Sequence, residues 1–175
     1  KEIIEALTKL NCKAKKITTK ENNIITVIQE NKDLGFVGTP TKINKELLIK
    51  TIKSNEVPVV APLGLDKDNQ TFNINADTVA GSIAIELKAR RLMIISDVEG
   101  VLDSGKKLIP EINSKKANEL INQDIISGGM IPKIKNCLDV ASNGVKGVVI
   151  IDGRKNHSLL FELLSDKGSG TLIRK

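Results

Sequence analysis

The sequence is short of the side chains that carry much of protein chemistry: it has no Trp, no Tyr, three Phe, two Cys and a single His in 175 residues. So few rings leave little platform for stacking bases, which argues against a nucleic-acid partner even though the formal charge is +6. The lysines behind that charge are spread along the chain, so the excess reads as solvated surface plus a few lysines meant for phosphate. Cys12 and Cys137 share no metal-type spacing, and a reduced cytoplasmic setting follows. No apolar run approaches the roughly 18 residues of a membrane-spanning helix. The opening Lys1-Glu2 begins an amphipathic pattern rather than a secretory signal. A Walker-type loop, a Ser–His–Asp arrangement and zinc spacing are all absent, so any phosphate is handled without a P-loop.

What is there is an ordinary globular composition, 40% apolar and 27% charged, enough for one core or two small lobes. Ile3, Ile4, Leu7 and Leu10 form a helical stripe over residues 2–10 with neither a cap nor an initiator Met, which reads as a chain beginning inside an element, a fragment. Strands are expected at 13–18, 24–28, 33–38 and 57–61. The first strand bounded by a polar run is 24–28, after Glu21-Asn22-Asn23. The 57–61 run is wholly apolar and suits a strand covered on both faces. Asn44 caps a helix to about residue 54 that buries Leu47, Leu48 and Ile52. Further strands are expected at 92–96, 145–151 and near Thr171, with helices to about residue 89, at 114–121, around 130–144 and at 156–164. A small hairpin joins 101–102 to 108–109, with Gly105 supplying positive φ. Strands alternating with helices indicate an α/β fold with a largely parallel sheet, in a three-layer αβα arrangement.

The stretch from Gln70 to Gly81 organises the chain. Asn73, Asn75 and Asp77 alternate with Ile74 and Ala76, which in extended backbone puts three polar groups on one face. Beyond Asp77 the period changes to that of a helix, through Val79, Ala80, Ile83, Ala84 and Leu87. Two amides and a carboxylate thus reach the mouth of a helix, a layout for binding; a mere N-cap at Asn75 or Asp77 is the plainer alternative. Two more polar turns follow strands, at Ser96 to Gly100 and at Asp152 to Arg154, where open α/β sheets bind ligands. Ser127-Gly128-Gly129-Met130-Ile131-Pro132-Lys133 puts a lysine in a helix's first turn, which favours an anion beside it. His157 reads as surface and Cys137 as core.

Taken together these segments resemble the acetylglutamate kinases of the amino-acid-kinase superfamily. The resemblance rests on Asp33-Leu34-Gly35-Phe36-Val37-Gly38, Val57-Pro58-Val59-Val60-Ala61-Pro62, Asn73-Ile74-Asn75-Ala76-Asp77, Ser96-Asp97-Val98-Glu99-Gly100-Val101-Leu102, Ser127 to Lys133 and Gly168-Ser169-Gly170-Thr171. These occur in the family's order and spacing over nearly all of the chain, and they prefer this kinase to carbamate, uridylate or aspartate kinases. The resemblance implies transfer of the ATP γ-phosphoryl group to the side-chain carboxylate of N-acetylglutamate, on the route to arginine. By it, Asn73 and Asn75 bind acetylglutamate, Asp77 orients the catalytic lysines and Lys133 sits on the transferring phosphate. Asp97, Val98, Glu99, Gly100, Val101, Leu102, Ile125, Ile126 and Ser127 surround the nucleotide, and Mg²⁺ bridges the ATP phosphates with no residue assigned to it. Asp77 and Lys133 are accordingly expected in one cleft.

By the same resemblance, residues 1–90 are a remnant of the amino-acid-substrate lobe and 91–175 are the nucleotide-binding lobe. A homo-oligomer is implied, a dimer or a hexamer of dimers, and the stretch from His157 to Thr171 looks like the arginine-inhibited branch, with arginine as feedback inhibitor. Two departures stand out: the family's opening Lys-x-Gly-Gly segment is not in this sequence, and Ile17-Thr18-Thr19-Lys20 replaces a Gly-Ser-Gly-type turn. The first leaves open a nucleotide-binding module without catalysis, and a sibling kinase acting on another carboxylate is a separate alternative.

Overall fold

The computed structural model describes residues 1–19 and 23–175. Lys20, Glu21 and Asn22 lie outside the described residues, and with them the polar run expected to bound the second strand and the end of the Ile17–Lys20 segment. The chain divides into two compact units, Lys1–Glu86 and Leu87–Lys175.

The first unit opens with α1 (Glu2–Lys9), where the sequence places it, although none of its residues is buried and Leu10 just beyond is 78% exposed. Strands β1 (Ala14–Ile17) and β4 (Val57–Val60) pair in parallel as a two-stranded sheet. β4 was expected to be covered on both faces; Val57 is instead exposed and Pro58, Val59 and Val60 are half-buried, because its one partner strand here is β1. A second sheet runs β3 (Gly38–Ile43), β2 (Ile25–Gln29), β5 (Leu63–Leu65), β6 (Thr71–Asn73).

The strand expected at 33–38 is displaced. Asn31 Oδ1 accepts from Asp33 N at 3.0 Å and holds Lys32–Leu34 in a 3₁₀ turn, and Gly35 turns the chain at φ 65°. The strand therefore starts only at Gly38. Pro40 lies inside it, which is tolerable because β3 is the sheet edge and the register with β2 shifts between Thr26 and Val27, where Pro40 faces Val27. Ile24, Ile25, Val27, Phe72 and Ile74 form the core beneath this sheet. Helix α2 (Lys45–Lys53) begins on the expected cap, with Asn44 Oδ1 accepting from Leu47 N at 3.4 Å. It buries Leu48 and Thr51, while Ile52 is exposed. After β6 the chain enters α3 (Ala76–Glu86), which buries Val79, Gly81 and Ala84 and ends short of the expected residue 89.

The second unit is built on a four-stranded sheet of order β7 (Leu92–Ser96), β9 (Val148–Asp152), β10 (Thr171–Ile173), β8 (Glu111–Ile112). β7 and β9 run parallel, β9 and β10 antiparallel, β10 and β8 parallel, so the sheet is mixed rather than purely parallel. All five residues of β9 are buried, as a Val/Ile run at the centre of a sheet requires. Helices α4 (Ser114–Asn122), α5 (Met130–Ser142) and α6 (Ser158–Leu164) complete the unit. α5 buries Ile134, Cys137, Val140 and Ala141; the stripe expected from its period was Ile134, Cys137, Leu138 and Ala141, and Leu138 is only half-buried while Val140 takes its place in the core. The 101–109 hairpin forms with one difference: Lys106, at φ 60°, carries the left-handed residue instead of Gly105. Asp103 Oδ1 accepts from Gly105 N at 2.8 Å and Lys107 N at 2.9 Å, which fixes the turn one residue later.

Close approach requires glycine at positions 100 and 170 of the second unit. Gly100 sits at φ 134°, and a Cβ there would stand 2.6 Å from Thr171 Oγ1. That hydroxyl accepts from Val101 N at 2.8 Å and donates to Ile109 O at 2.7 Å, binding the hairpin to β10. Gly170 lies against the Ile150 carbonyl with no room for a methyl group. The end of β9 is fixed by Asp152, 3% exposed, whose carboxylate accepts from Arg154 N, Nε and Nη2 at 2.9 Å each. The side-chain bonds to Arg154 first, and its N–H second, lower the Asp152 pKa to about 2.

Two outcomes follow for stability. Gly170→Ala is expected to destabilise by about 3 kcal/mol or more, since backbone must move, read as a lowered urea midpoint; an unchanged midpoint contradicts the packing. The Asp152 contribution is fully present above the ordinary carboxylate value of about 4 and is lost as pH falls toward the folded-state value of about 2. The gap in urea midpoint between the protein and Asp152→Asn should therefore shrink between those two pH values, and a gap independent of pH would contradict the pairing.

Candidate active site

In the first unit, the polar stretch behaves differently from the extended reading. β6 ends at Asn73 and α3 begins at Ala76, so Asp77 belongs to the helix and the three polar groups do not share one strand face. Asn73 is exposed; its N–H donates to Phe36 O at 2.8 Å, and its backbone faces Leu63 and Val37. The Asn75 side chain caps α3: Oδ1 accepts from Asp77 N at 2.9 Å and Thr78 N at 3.3 Å. The plainer alternative thus accounts for the Asn75 carbonyl, and its amide nitrogen is the group left for a ligand. Asp77, half-buried in the first turn, is where a carboxylate is favoured by the helix dipole.

In the second unit, the polar turns leaving β7 and β9 meet. Ser96 stands opposite Asp152 across the parallel register, and Gly153 N donates to Ser96 O at 2.8 Å. Beyond them opens a cleft of about 450 Å³ lined by Asp97, Val98, Glu99, Gly100, Val101, Leu102, Ile125, Ile126, Ser127, Met130 and Arg154. Every residue singled out from the sequence for a nucleotide lies on its wall. Val98, Val101, Leu102, Ile125, Ile126 and Met130 give it apolar sides, and Val101 and Ile126 are 2% exposed, so the walls are held by the core. Its volume and its few convergent polar groups are those of a small-molecule site.

The apolar walls suit a flat heterocycle, and the Asp97 and Glu99 carboxylates can accept from hydroxyl or amino groups. Glu99 is paired with Lys155 at 2.9 Å on the exposed rim. Asp97, Glu99 and above all Asp152 raise the Arg154 pKa, Asp152 through its hydrogen bond and charge. Ser127 to Gly129 form the turn into α5: Gly128 is at φ 53°, Met130 N donates to Ser127 O at 3.2 Å, and open space surrounds both glycines. Lys133, half-buried, is one turn beyond Met130 on the same helix face and does not line the cleft itself. Met130 and Arg154 also line the cleft, although the resemblance assigned neither to the nucleotide. Arg154 had a signal, because the 152–154 turn follows a strand; Met130 stands in the Ser127–Lys133 segment, which was singled out for its lysine.

His157 is exposed immediately before α6 and Cys137 is fully buried, both as read. Among the described residues no group of three His, Cys, Asp or Glu gathers to hold a metal, and no helix is long and apolar enough to cross a membrane.

The model of the amino acid kinase family matches residues 1–152. The acetylglutamate kinase of Pelagibacter ubique (strain HTCC1062) is 87% identical over all 175 residues, which span 61% of its length. That of Bradyrhizobium sp. (strain ORS 278) is 44% identical, again over the whole chain and 63% of its own length. The chain thus spans about three fifths of the length of the curated relatives it matches. Among solved structures, smu.665 from Streptococcus mutans UA159 superposes with a TM-score of 0.83 at 30% identity, over 97% of this chain and 64% of that one. N-acetylglutamate synthase from Neisseria gonorrhoeae superposes at 0.86 with 23% identity, over 98% of this chain and 40% of that one, a likeness of fold. The chain belongs to the amino acid kinase family.

Proposed function

We propose that this chain is the larger part of an acetylglutamate kinase, which moves the γ-phosphoryl group of ATP to the side-chain carboxylate of N-acetylglutamate. The observation that carries the reading is the 87% identity to an acetylglutamate kinase over the whole chain. The cleft at the carboxyl ends of β7 and β9 supports it, since it gathers every nucleotide residue expected from the sequence.

In this reading the acceptor carboxylate, ionised at neutral pH, attacks the γ-phosphorus; the bond to the bridging oxygen breaks and ADP leaves with the electron pair. No proton has to be removed from the nucleophile, so no general base is needed, and the catalytic task is positioning and charge neutralisation. Lys133 neutralises the transferring group. Asp77 orients the catalytic lysines, Asn73 holds the acetylglutamate backbone, and the Asn75 amide nitrogen lines the same pocket. The walls from Asp97 to Leu102 and from Ile125 to Ser127 hold the nucleotide. Mg²⁺ would come as a companion of the nucleotide, an ion that needs few protein ligands beside phosphates and water; among the described residues no group of three His, Cys, Asp or Glu is gathered to hold it. Its contribution when bound is to neutralise phosphate charge. A cytoplasmic setting, a homo-oligomer and inhibition by arginine belong to the same reading.

Calorimetry on the chain with ATP, then with N-acetylglutamate, tests the first half: nucleotide binding supports the reading, and no heat with either ligand contradicts it. Phosphotransfer is assayed in a protein containing this chain and the rest of its relatives' length, by trapping the acyl phosphate with hydroxylamine. There Lys133→Ala and Asp77→Asn should each lower turnover by on the order of 10²–10³, as for loss of one preorganised charged group. An unchanged rate removes the substituted residue from the mechanism.

A further inference from the structure

The nucleotide cleft contains one guanidinium that the proposed function leaves without a task. Arg154 follows β9 by two residues, its side chain is 63% exposed, and it lines the cleft across from Asp97 to Leu102. It is not a loose surface arginine. Asp152, with a side chain 4% exposed, receives Nε on Oδ1 and Nη2 on Oδ2 at 2.9 Å each, so the planar fork is held edge-on by a carboxylate that is itself set by the strand register. The Arg154 N–H also donates to Oδ1, which stiffens the turn that carries the side chain. Among the described residues Nη1 makes no hydrogen bond, so its N–H groups are available to a ligand.

The cleft offers few other cations. Lys155 beside it is engaged by Glu99 at 2.9 Å, and among the described residues no other lysine or arginine lines the wall. A nucleotide brings phosphates whose oxygens match a planar, preoriented guanidinium better than a flexible ammonium. We propose that Arg154 is a further nucleotide-binding residue, donating through Nη1 to a phosphate oxygen of the bound nucleotide, and that Asp152 is its positioning residue. This rests on the nucleotide reading of the cleft and adds to it the part of the ligand that this side chain recognises. Anchoring by Asp152 means that the fork loses little freedom when a phosphate arrives, which is the advantage of preorganisation.

The test compares ADP with adenosine on the 175-residue chain, by calorimetry, for the protein and for Arg154→Gln, Arg154→Lys and Asp152→Asn. Binding of ADP by the unsubstituted protein checks the nucleotide reading by itself, and its absence overturns that reading together with this inference. Given binding, Arg154→Gln should weaken ADP by about 10-fold to 100-fold, the loss of a charge-assisted hydrogen bond, and leave adenosine within about twofold. Arg154→Lys should recover only part of the loss, because an ammonium cannot use the Asp152 fork. Asp152→Asn should weaken ADP but spare adenosine, a difference that a general loosening of the fold would not produce. Equal weakening of ADP and adenosine by Arg154→Gln, or no change in ADP affinity, overturns the assignment.

Discussion

Because β7 and β9 run parallel with Ser96 opposite Asp152, the two turns that leave them leave at the same end of the sheet, and everything proposed for the second unit depends on that register. It is held by a central strand with no exposed residue and by the bond from Gly153 N to Ser96 O. A slip of one residue would carry Asp152 away from Ser96 and swap the side chains packed on the two covered faces of the strand. Thr171 adds a second constraint. Its hydroxyl joins Val101 to Ile109 across β10, and Gly100 is the residue that lets the chain approach it. The cleft is thus shaped by the core beneath it, which is why its apolar walls include residues with almost no exposed surface.

The first unit contributes a different kind of order. Its polar stretch was legible as a group but not as a geometry. Alternation of Asn73, Asn75 and Asp77 reads as strand, yet the Asn75 side chain can bond to backbone N–H groups two and three residues on, and that local bond ends the extended run and starts α3. The same competition displaced the strand expected at 33–38, where Asn31 captures Asp33 N. Both departures have one cause: a side-chain amide offers the backbone a partner that hydrophobic period does not record.

The second unit was more legible, again for a physical reason. Runs such as Leu92–Ser96 and Val148–Asp152 are apolar on every residue or nearly so, which made both legible as strands; Val148–Asp152 is buried throughout at the centre of the sheet, whereas Leu92–Ser96, expected to be buried, lies at the sheet edge with Ile95 exposed. The stripe of α5 was legible because Pro132 and Gly144 mark its two ends. The turn at 103–107 could be foreseen but not its left-handed residue, since Asp103 and not glycine decides where the backbone inverts. The turn carrying Arg154 was legible as a place for a ligand, but its pairing with Asp152 was not, because a pairing within two residues has no period to announce it. It becomes visible only when the burial of Asp152 shows that the carboxylate needs a partner. The register, the core-backed walls and the anchored guanidinium make a site built before any ligand arrives, as the proposed phosphoryl transfer, whose chemistry is positioning, would require.

The central claim is that the cleft of the second unit is where the nucleotide sits. Hydrogen–deuterium exchange of the chain with and without ADP tests it most directly. The account predicts slower exchange on ADP addition at residues 97–102, 125–130 and 153–155. Protection confined to other segments, with these three unchanged while ADP is bound, would contradict it.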